Sequence, residues 1–227
     1  RHRGVEAAWA RSFAAWTLMT ALSGMAGSFA QLLAARIGVG MAATMLGLAG
    51  YEASRAYARQ RPQGRPMTEA GKDASQAQVP IIEHADVKRM LLAQKAYCEG
   101  ALALELYCAR LVDELHTGAP EAAAEAGLLL EVLTPIAKSW PSEWCLEANS
   151  LAIQVHGGYG YTRDYDVEQH YRDNRLNPIH EGTHGIQGLD LLGRKVVMQN
   201  GAGLALLAER IAETVTRAST RGGAAEQ

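Results

Sequence analysis

The sequence has few of the residues that define several common classes of protein. Only three cysteines occur, none of them in a CxxC pair: Cys98, Cys108 and Cys145. An odd number at scattered spacing does not make a disulfide framework, so we expect a reducing compartment, the cytoplasm. The chain also has no large net charge, because it contains 22 basic and 24 acidic residues, and no long run of residues has a single sign of charge. We therefore expect no nucleic-acid partner.

Sustained alternation of β-branched and polar residues, the pattern of strands, is missing too. Ala, Leu, Met, Glu, Arg and Gln dominate between the glycines and prolines instead, so the predicted fold class is all-α. Helices are expected at residues 28–60, 85–117, 121–139 and 141–157. Four long helices joined by short turns predict an up-and-down four-helix bundle. In the second helix one apolar stripe predicts the buried face: Val87, Met90, Leu91, Cys98, Leu102, Leu111 and Leu115.

The predicted breaks between helices fall at prolines and glycines. Residues 61–79 are rich in both and are expected to form a surface excursion. A sharp turn is expected at Trp140 and Pro141, between the third and fourth helices. An extra helix near the C-terminus is expected to run from about Thr183 to Met198.

The N-terminal part of the chain has no charged residue from 13 to 33, which is long enough for a membrane span. Its many small residues suit close packing in a buried bundle, so we expect no span. Arg1, Arg3 and Arg11 resemble the basic start of a targeting peptide, but no cleavage site stands out. Since the first residue is Arg, we expect a longer or processed gene product.

Residues 154–195 carry the most informative pattern. Gln154-Val-His-Gly-Gly-Tyr-Gly-Tyr comes first, near the predicted end of a helix. Arg172 and Asp173 follow, and after seven more residues comes Glu181-Gly-Thr.

A second pattern lies upstream, where Arg36-Ile-Gly-Val-Gly precedes Arg61-Pro-Gln-Gly by 25 positions. Together the two patterns resemble the acyl-CoA dehydrogenase family, particularly its bacterial branch that acts on short or sulfur-containing acyl-CoAs. The resemblance covers residues 32–195. It implies the helical C-terminal domain of that family.

The resemblance implies FAD-dependent oxidation of a saturated acyl-CoA thioester to its α,β-enoyl form. Protein side chains cannot accept a hydride, so the protein supplies a base, a polarised carbonyl and a dry pocket around the flavin. The family's base is the glutamate of the Glu-Gly-Thr motif, which is Glu181 here. The implied FAD-binding residues are Arg61, Gln63, Gln154, Gly157, Gly158 and Thr183. The implied substrate-binding residues are Arg36, His180 and Gly182.

The resemblance also implies partners and domain boundaries. The expected partners are the acyl-CoA substrate, an electron-transfer flavoprotein or similar acceptor, and further copies of the chain or a chain that supplies missing domains. The expected division is an N-terminal segment at residues 1–27, the family's helical domain at 28–200, and a C-terminal helix and tail at 201–227.

Three departures from the family pattern accompany the resemblance. Gln63 runs straight into Gly64 without the usual phenylalanine, and Gly185 stands where a polar residue is common. The family's N-terminal helical domain and middle β-domain have no counterpart here, so we expect the chain alone not to be a complete enzyme. Two alternatives stay open: a truncated, catalytically incompetent helical module for oligomerisation or interaction, and an acyl-CoA oxidase.

The histidines raise one further possibility, a metal site. His156, His170, His180 and His184 lie within 29 positions of one another. No pair of them at helical spacing has a third carboxylate ligand, so we expect no metal.

Overall fold

A computed structural model of the protein describes residues 29–68, 71–72 and 75–222. The candidate targeting arginines and most of the uncharged run at 13–33 lie outside these residues. Within them, no helix is both long enough and apolar enough to cross a membrane.

Helices make up most of the described chain, as the sequence predicts. The four long helices among the described residues are α1 (Phe29–Gln60), α2 (Ala85–Thr117), α3 (Pro120–His156) and α6 (Ala202–Gly222). Two short helices are α4 (Val167–Asn174) and α5 (His184–Asp190). Single helical turns of other types occupy Ile81–Glu83, Gly157–Tyr161, Leu191–Lys195 and Met198–Gly201. Within the predicted excursion, β1 (Met67–Thr68) and β2 (Gly71–Lys72) form a small antiparallel hairpin.

The predicted break at Trp140 and Pro141 is wrong, because α3 runs through both residues without interruption. Pro141 has no N–H, which leaves the carbonyl of Ala137 without its intrahelical donor. That carbonyl lies against Gly40 of α1, where an added Cβ would be 2.5 Å from the oxygen. The helix therefore continues past Pro141 with one intrahelical hydrogen bond fewer and with α1 packed against the released carbonyl.

The predicted helix from Thr183 to Met198 is shorter than expected. It begins as α5 at His184 and ends with a π-helical turn at Lys195. Gln199 and Asn200 then take left-handed backbone angles, with φ values of 49° and 55°, so no helix can continue through them. The chain re-enters a helix at Ala202, which provides the long C-terminal helix α6.

The described residues divide into two compact units. One contains the chain up to Glu105 together with Ala137–Thr183, and the other contains Leu106–Ile136 and the chain from His184 onward. The candidate site residues up to Thr183 lie in the first unit.

Small residues bring the helices of the first unit close together. Gly47 of α1 faces α2 and α3, where an added Cβ would lie 2.9 Å from Cys98 Sγ and 2.8 Å from Cys145 Cβ. Both cysteines are fully buried free thiols. Four residues of the predicted apolar stripe of α2 are buried (Met90, Leu91, Cys98 and Leu111), and the other three are partly buried (Val87, Leu102 and Leu115). Two polar residues that the periodicity does not predict, Gln94 and Glu105, are also fully buried on that helix.

The second unit contains a buried ion pair. Lys195, at the end of the π-helical turn, has 3% of its side chain exposed and pairs with Glu131 of α3. On the surface of the same unit, Arg210 of α6 pairs with Glu125 at 2.6 Å.

Candidate active site

The loop between α4 and α5 contains the predicted base. Glu181 is half-buried and has a φ of 56°, and Gly182 follows with a φ of 92°. Left-handed backbone is costly for a residue with a side chain, and such strain persists only where the surroundings enforce it. Glycine at 182 is the residue that tolerates the second positive φ.

A buried lysine lies beneath this loop. The side chain of Lys138, on α3, is fully buried. Its Nζ donates hydrogen bonds to the carbonyl of Asn177 at 3.0 Å and to that of Gly182 at 2.6 Å. The ammonium thus connects the two ends of the segment that contains Glu181. Sequence reasoning missed Lys138, although a lysine on the apolar face of a helix is an unusual feature.

Three buried asparagines connect the same loop to the helices. Asn177 Nδ2 donates to Asn174 Oδ1 at 2.9 Å, and Asn174 Nδ2 donates to Asn149 Oδ1 at 2.7 Å. Asn174 also reaches the carbonyl of Ala43 at 3.1 Å, and Asn149 reaches that of Leu46 at 2.9 Å. This chain of amides joins the loop to α3 and α1, so its position follows that of the helix pair.

The imidazole of His180 extends this chain of hydrogen bonds by one residue. Its Nε2 lies 3.2 Å from Asn177 Oδ1, and since an amide oxygen only accepts, Nε2 is the donor. Burial lowers the pKa of His180, and the ammonium of Lys138 lowers it further, against a smaller opposing effect of Glu181. The imidazole beside Glu181 is therefore neutral at neutral pH.

The predicted FAD-binding residue Arg61 lies in an aromatic group where α1 ends beside the end of α3. The guanidinium of Arg61 lies over the Tyr159 ring, 5.5 Å from its centroid. The Tyr57 and His156 rings stack at 4.4 Å, and Tyr165 packs edge-on against both. Within the described chain, the buried Nε of Arg61 has no hydrogen-bond partner. A buried donor of this kind suits an anionic ligand.

The glycines of the Gln154 motif lie next to this aromatic group. Gly157 has a φ of 61°, and an added Cβ on either Gly157 or Gly158 would meet nothing within 4 Å. Both glycines and Gln154 are exposed. The structure therefore brings Arg61 and the two glycines to one surface, since Tyr159 directly follows Gly158.

The turn after Arg61 is fixed by one backbone hydrogen bond and one hydrogen bond from a histidine side chain. Gln63 N donates to the carbonyl of Val79 at 2.9 Å, and His84 Nε2 donates to the carbonyl of Gln63 at 2.7 Å. Gly64 has a φ of 73°, and a Cβ added to it would lie 3.0 Å from His84 Nε2. The turn thus keeps a defined shape without the family's phenylalanine.

The remaining predicted residues occupy simpler positions. Thr183 is exposed at the end of the loop, Gly185 lies in the first turn of α5, and Arg36 lies within α1. In the described ranges no three His, Cys, Asp or Glu side chains are grouped to hold a metal ion. His156 has a structural position, because its Nδ1 bonds the carbonyl of Ala152 at 2.8 Å.

Comparison with known proteins gives a family for this arrangement. Residues 23–196 match the family model "Acyl-CoA dehydrogenase, C-terminal domain". The chain is 42% identical over 205 residues to 3-methylmercaptopropionyl-CoA dehydrogenase of Ruegeria pomeroyi, a match that covers 90% of this chain and 34% of that protein. It is 33% identical over 210 residues to the broad-specificity linear acyl-CoA dehydrogenase FadE5 of Mycobacterium tuberculosis, covering 91% of this chain and 34% of that protein.

A solved structure agrees with these matches. Butyryl-CoA dehydrogenase from Megasphaera elsdenii superposes with a TM-score of 0.55 at 26% identity, over 72% of this chain and 36% of that chain. The chain spans about a third of the length of these relatives. The predicted resemblance is confirmed: the chain belongs to the acyl-CoA dehydrogenase family, and the part of the family that it matches is the helical C-terminal domain.

Proposed function

We propose that this chain is the C-terminal part of an FAD-dependent acyl-CoA dehydrogenase, in which Glu181 removes the α-proton of an acyl-CoA thioester. The observation that carries the proposal is the left-handed backbone of Glu181, with its φ of 56°, in a loop held by the buried Lys138. A carboxylate kept in a strained conformation by buried polar groups is typical of a functional site and has no evident structural purpose.

The residues of the loop divide the work of proton removal. The α-proton of a thioester is weakly acidic, so the base has to be held close to it. Gly182 lets a substrate approach the backbone closely because it has no side chain. Neutral His180 lines the pocket beside the base without adding a positive charge that would pair with the carboxylate.

The aromatic group at the end of α3 fits FAD. Arg61 offers an unpartnered buried Nε, and an arginine fork matches the oxygens of a pyrophosphate. The open space over Gly157 and Gly158 leaves room for a nucleotide against the backbone. Gln63 and Gln154 would supply amide donors nearby. When bound, FAD supplies the acceptor for the hydride that leaves the β-carbon.

The proposal extends to the partners of the protein. Arg36 is assigned to the CoA moiety and Thr183 to the flavin nucleotide. The relatives are about three times as long as this chain, and we assign the rest of the flavin and acyl pocket to protein outside these residues. The reduced enzyme would pass electrons to an electron-transfer flavoprotein or a similar acceptor, and we expect it to work as an oligomer.

Anaerobic reduction of the complete flavoprotein tests the proposal. The protein should be yellow and should bleach when an acyl-CoA is added. Glu181→Gln should keep the flavin and lose about 100-fold or more in bleaching rate, because the amide is not a base. The matched control is Glu143→Gln, an exposed glutamate of α3, which should bleach at the normal rate.

Three outcomes would contradict parts of this proposal. Normal bleaching of Glu181→Gln would remove Glu181 from the role of base. Rapid reoxidation of the bleached flavin by oxygen would indicate an oxidase. Colourless protein that cannot take up FAD, even with all domains present, would indicate a helical module without catalysis.

A further inference from the structure

The loop that holds Glu181 depends on a buried positive charge. Burial of an ammonium is costly unless hydrogen bonds replace its water, and Lys138 is fully buried. Its donors are directed at the carbonyls of Asn177 and Gly182, which bracket the loop. A methionine or leucine would fill the same volume at no such cost. The charge therefore has a purpose beyond packing.

The shorter of the two bonds acts on the strained part of the loop. Gly182 O lies 2.6 Å from Lys138 Nζ, so the ammonium fixes the orientation of the peptide that follows Gly182. The same residue has a φ of 92°, and Glu181 before it has a φ of 56°. Because left-handed backbone is unfavourable for Glu181, while Gly182 adopts it readily, the bond to Lys138 helps to select this arrangement over the ordinary alternatives.

The longer bond fixes the other end of the loop. The backbone carbonyl of Asn177 accepts the hydrogen bond from Lys138 Nζ. Its side-chain Oδ1 accepts another from His180 Nε2 at 3.2 Å. Lys138 thus organises both neighbours of the base, the imidazole before it and the glycine after it.

We propose that Lys138 is a positioning residue for Glu181, which holds the carboxylate in its working orientation through the carbonyls at both ends of the loop; this inference rests on the proposed function. Lys138 itself is assigned no contact with substrate or flavin. Its contribution is geometric and appears in the rate of proton removal and only weakly in substrate binding.

A second buried lysine provides a matched control. Lys195 is 3% exposed, lies in the other unit and pairs with Glu131. Lys195→Met and Lys138→Met both remove a buried ammonium and leave the groups bonded to it without that donor, so both should lower the urea midpoint of the protein. Only Lys138→Met should disturb the loop of Glu181.

The first measurement is the rate of anaerobic bleaching by acyl-CoA in the complete flavoprotein. Lys138→Met should bleach about 10- to 100-fold more slowly, with acyl-CoA dissociation constants changed by less than about threefold. Lys195→Met should stay within about twofold of the wild type. Lys138→Arg keeps the charge and should recover part of the rate, whereas a residue that merely fills space would tolerate methionine better than arginine.

The second measurement does not depend on activity. The pKa of His180 is lowered by burial first and then by the Lys138 charge, while Glu181 opposes both. In NMR titrations of histidine-labelled protein, assigned with His180→Gln, the midpoint of His180 should move to higher pH in Lys138→Met. It should not move in Lys195→Met. Lys138→Gln is the neutral variant to use if the methionine variant does not fold, and its shift should have the same direction.

The results separate the inference from the function on which it rests. If the wild type is not reduced by any acyl-CoA, the proposed function fails, and the His180 titration still tests whether the charge of Lys138 acts on the loop. Equal bleaching rates in Lys138→Met and Lys195→Met would overturn the positioning role. So would an unmoved His180 midpoint.

Discussion

Glu105 gives the sharpest prediction on stability. It lies within α2, its side chain is fully buried, and neither carboxyl oxygen has a hydrogen-bond partner within the described residues. Burial, with a smaller contribution from Cys145, raises the pKa of Glu105 from its usual 4.5 to about 9. The carboxyl faces Gly40 at the point where the carbonyl of Ala137 also lies. When protonated, the Glu105 carboxyl has an O–H that can donate toward this carbonyl oxygen. When ionised, the carboxylate places its acceptor oxygens next to another acceptor.

The sign of the pH dependence follows from the raised pKa. Between about pH 4.5 and pH 9 the folded protein keeps the proton that the unfolded chain has released. The stabilisation from this proton is complete below pH 4.5 and is lost as the pH rises toward 9. The loss is about 1.4 kcal/mol per pH unit, so it amounts to about 4 kcal/mol between about pH 5 and pH 8.

Glu105→Gln tests this reasoning, because glutamine resembles the protonated acid and cannot ionise. Urea unfolding followed by far-UV circular dichroism should give similar free energies for variant and wild type near about pH 5. Near about pH 8 the variant should be more stable by about 4 kcal/mol. Glu99→Gln, an exposed position of the same helix paired with Lys95 at 2.7 Å, is the control and should change stability by less than about 1 kcal/mol at either pH. A difference between Glu105→Gln and wild type that does not grow with pH would refute the buried-acid interpretation.

Two further predictions concern packing and charge. Gly40→Ala should lower the free energy of unfolding by about 1–3 kcal/mol, since its Cβ would lie 2.5 Å from a backbone oxygen. Gly100→Ala, whose Cβ would make an ordinary 3.4 Å contact with Trp140, should raise it by about 0.5–1 kcal/mol. The two changes have the same chemistry in helices, and urea unfolding that ranks them in the opposite order would contradict the close approach at Gly40. Glu131→Gln should lower the free energy of unfolding by about 3 kcal/mol in the same assay, because it removes the anion that pairs with the buried Lys195. A decrease below about 1 kcal/mol would show that water screens this ion pair.

The sequence predicts much of the fold because long helices repeat their pattern many times. The all-α class, both ends of α2 and the end of α3 before Gly157 follow from periodicity and from glycine and proline. The expectation that the N-terminal run does not span a membrane, and the possibility of a targeting peptide, concern mostly residues outside the described ranges. Both stay predictions, as do the domain boundaries. The roles of Glu181 and the nucleotide-binding residues also stay predictions until they are tested.

Periodicity fails where a polar residue is buried on an apolar face. Gln94 interrupts the stripe of α2: its amide nitrogen donates to the carbonyl of Met90 one turn earlier at 3.3 Å, and its amide oxygen accepts from the hydroxyl of Ser54, 40 residues away, at 2.8 Å. Asn149 and Asn174 are comparable, since each reaches a backbone carbonyl more than 100 residues earlier. No local pattern contains such partners. The sequence therefore predicts these asparagines only as polar residues and does not predict their hydrogen bonds.

The turn of α3 from Ala137 to Pro141 shows why this failure coincides with the candidate site. In the sequence, Pro141 after Trp140 predicts the end of a helix. In the structure the carbonyl that Pro141 releases packs against Gly40, and Lys138 on the same turn extends under the loop of Glu181. Both features break local rules, and both lie against residues distant in sequence. Local rules are broken at a cost that evolution retains where it serves a purpose. The misread turn and the support for the predicted base are thus the same five residues of one helix.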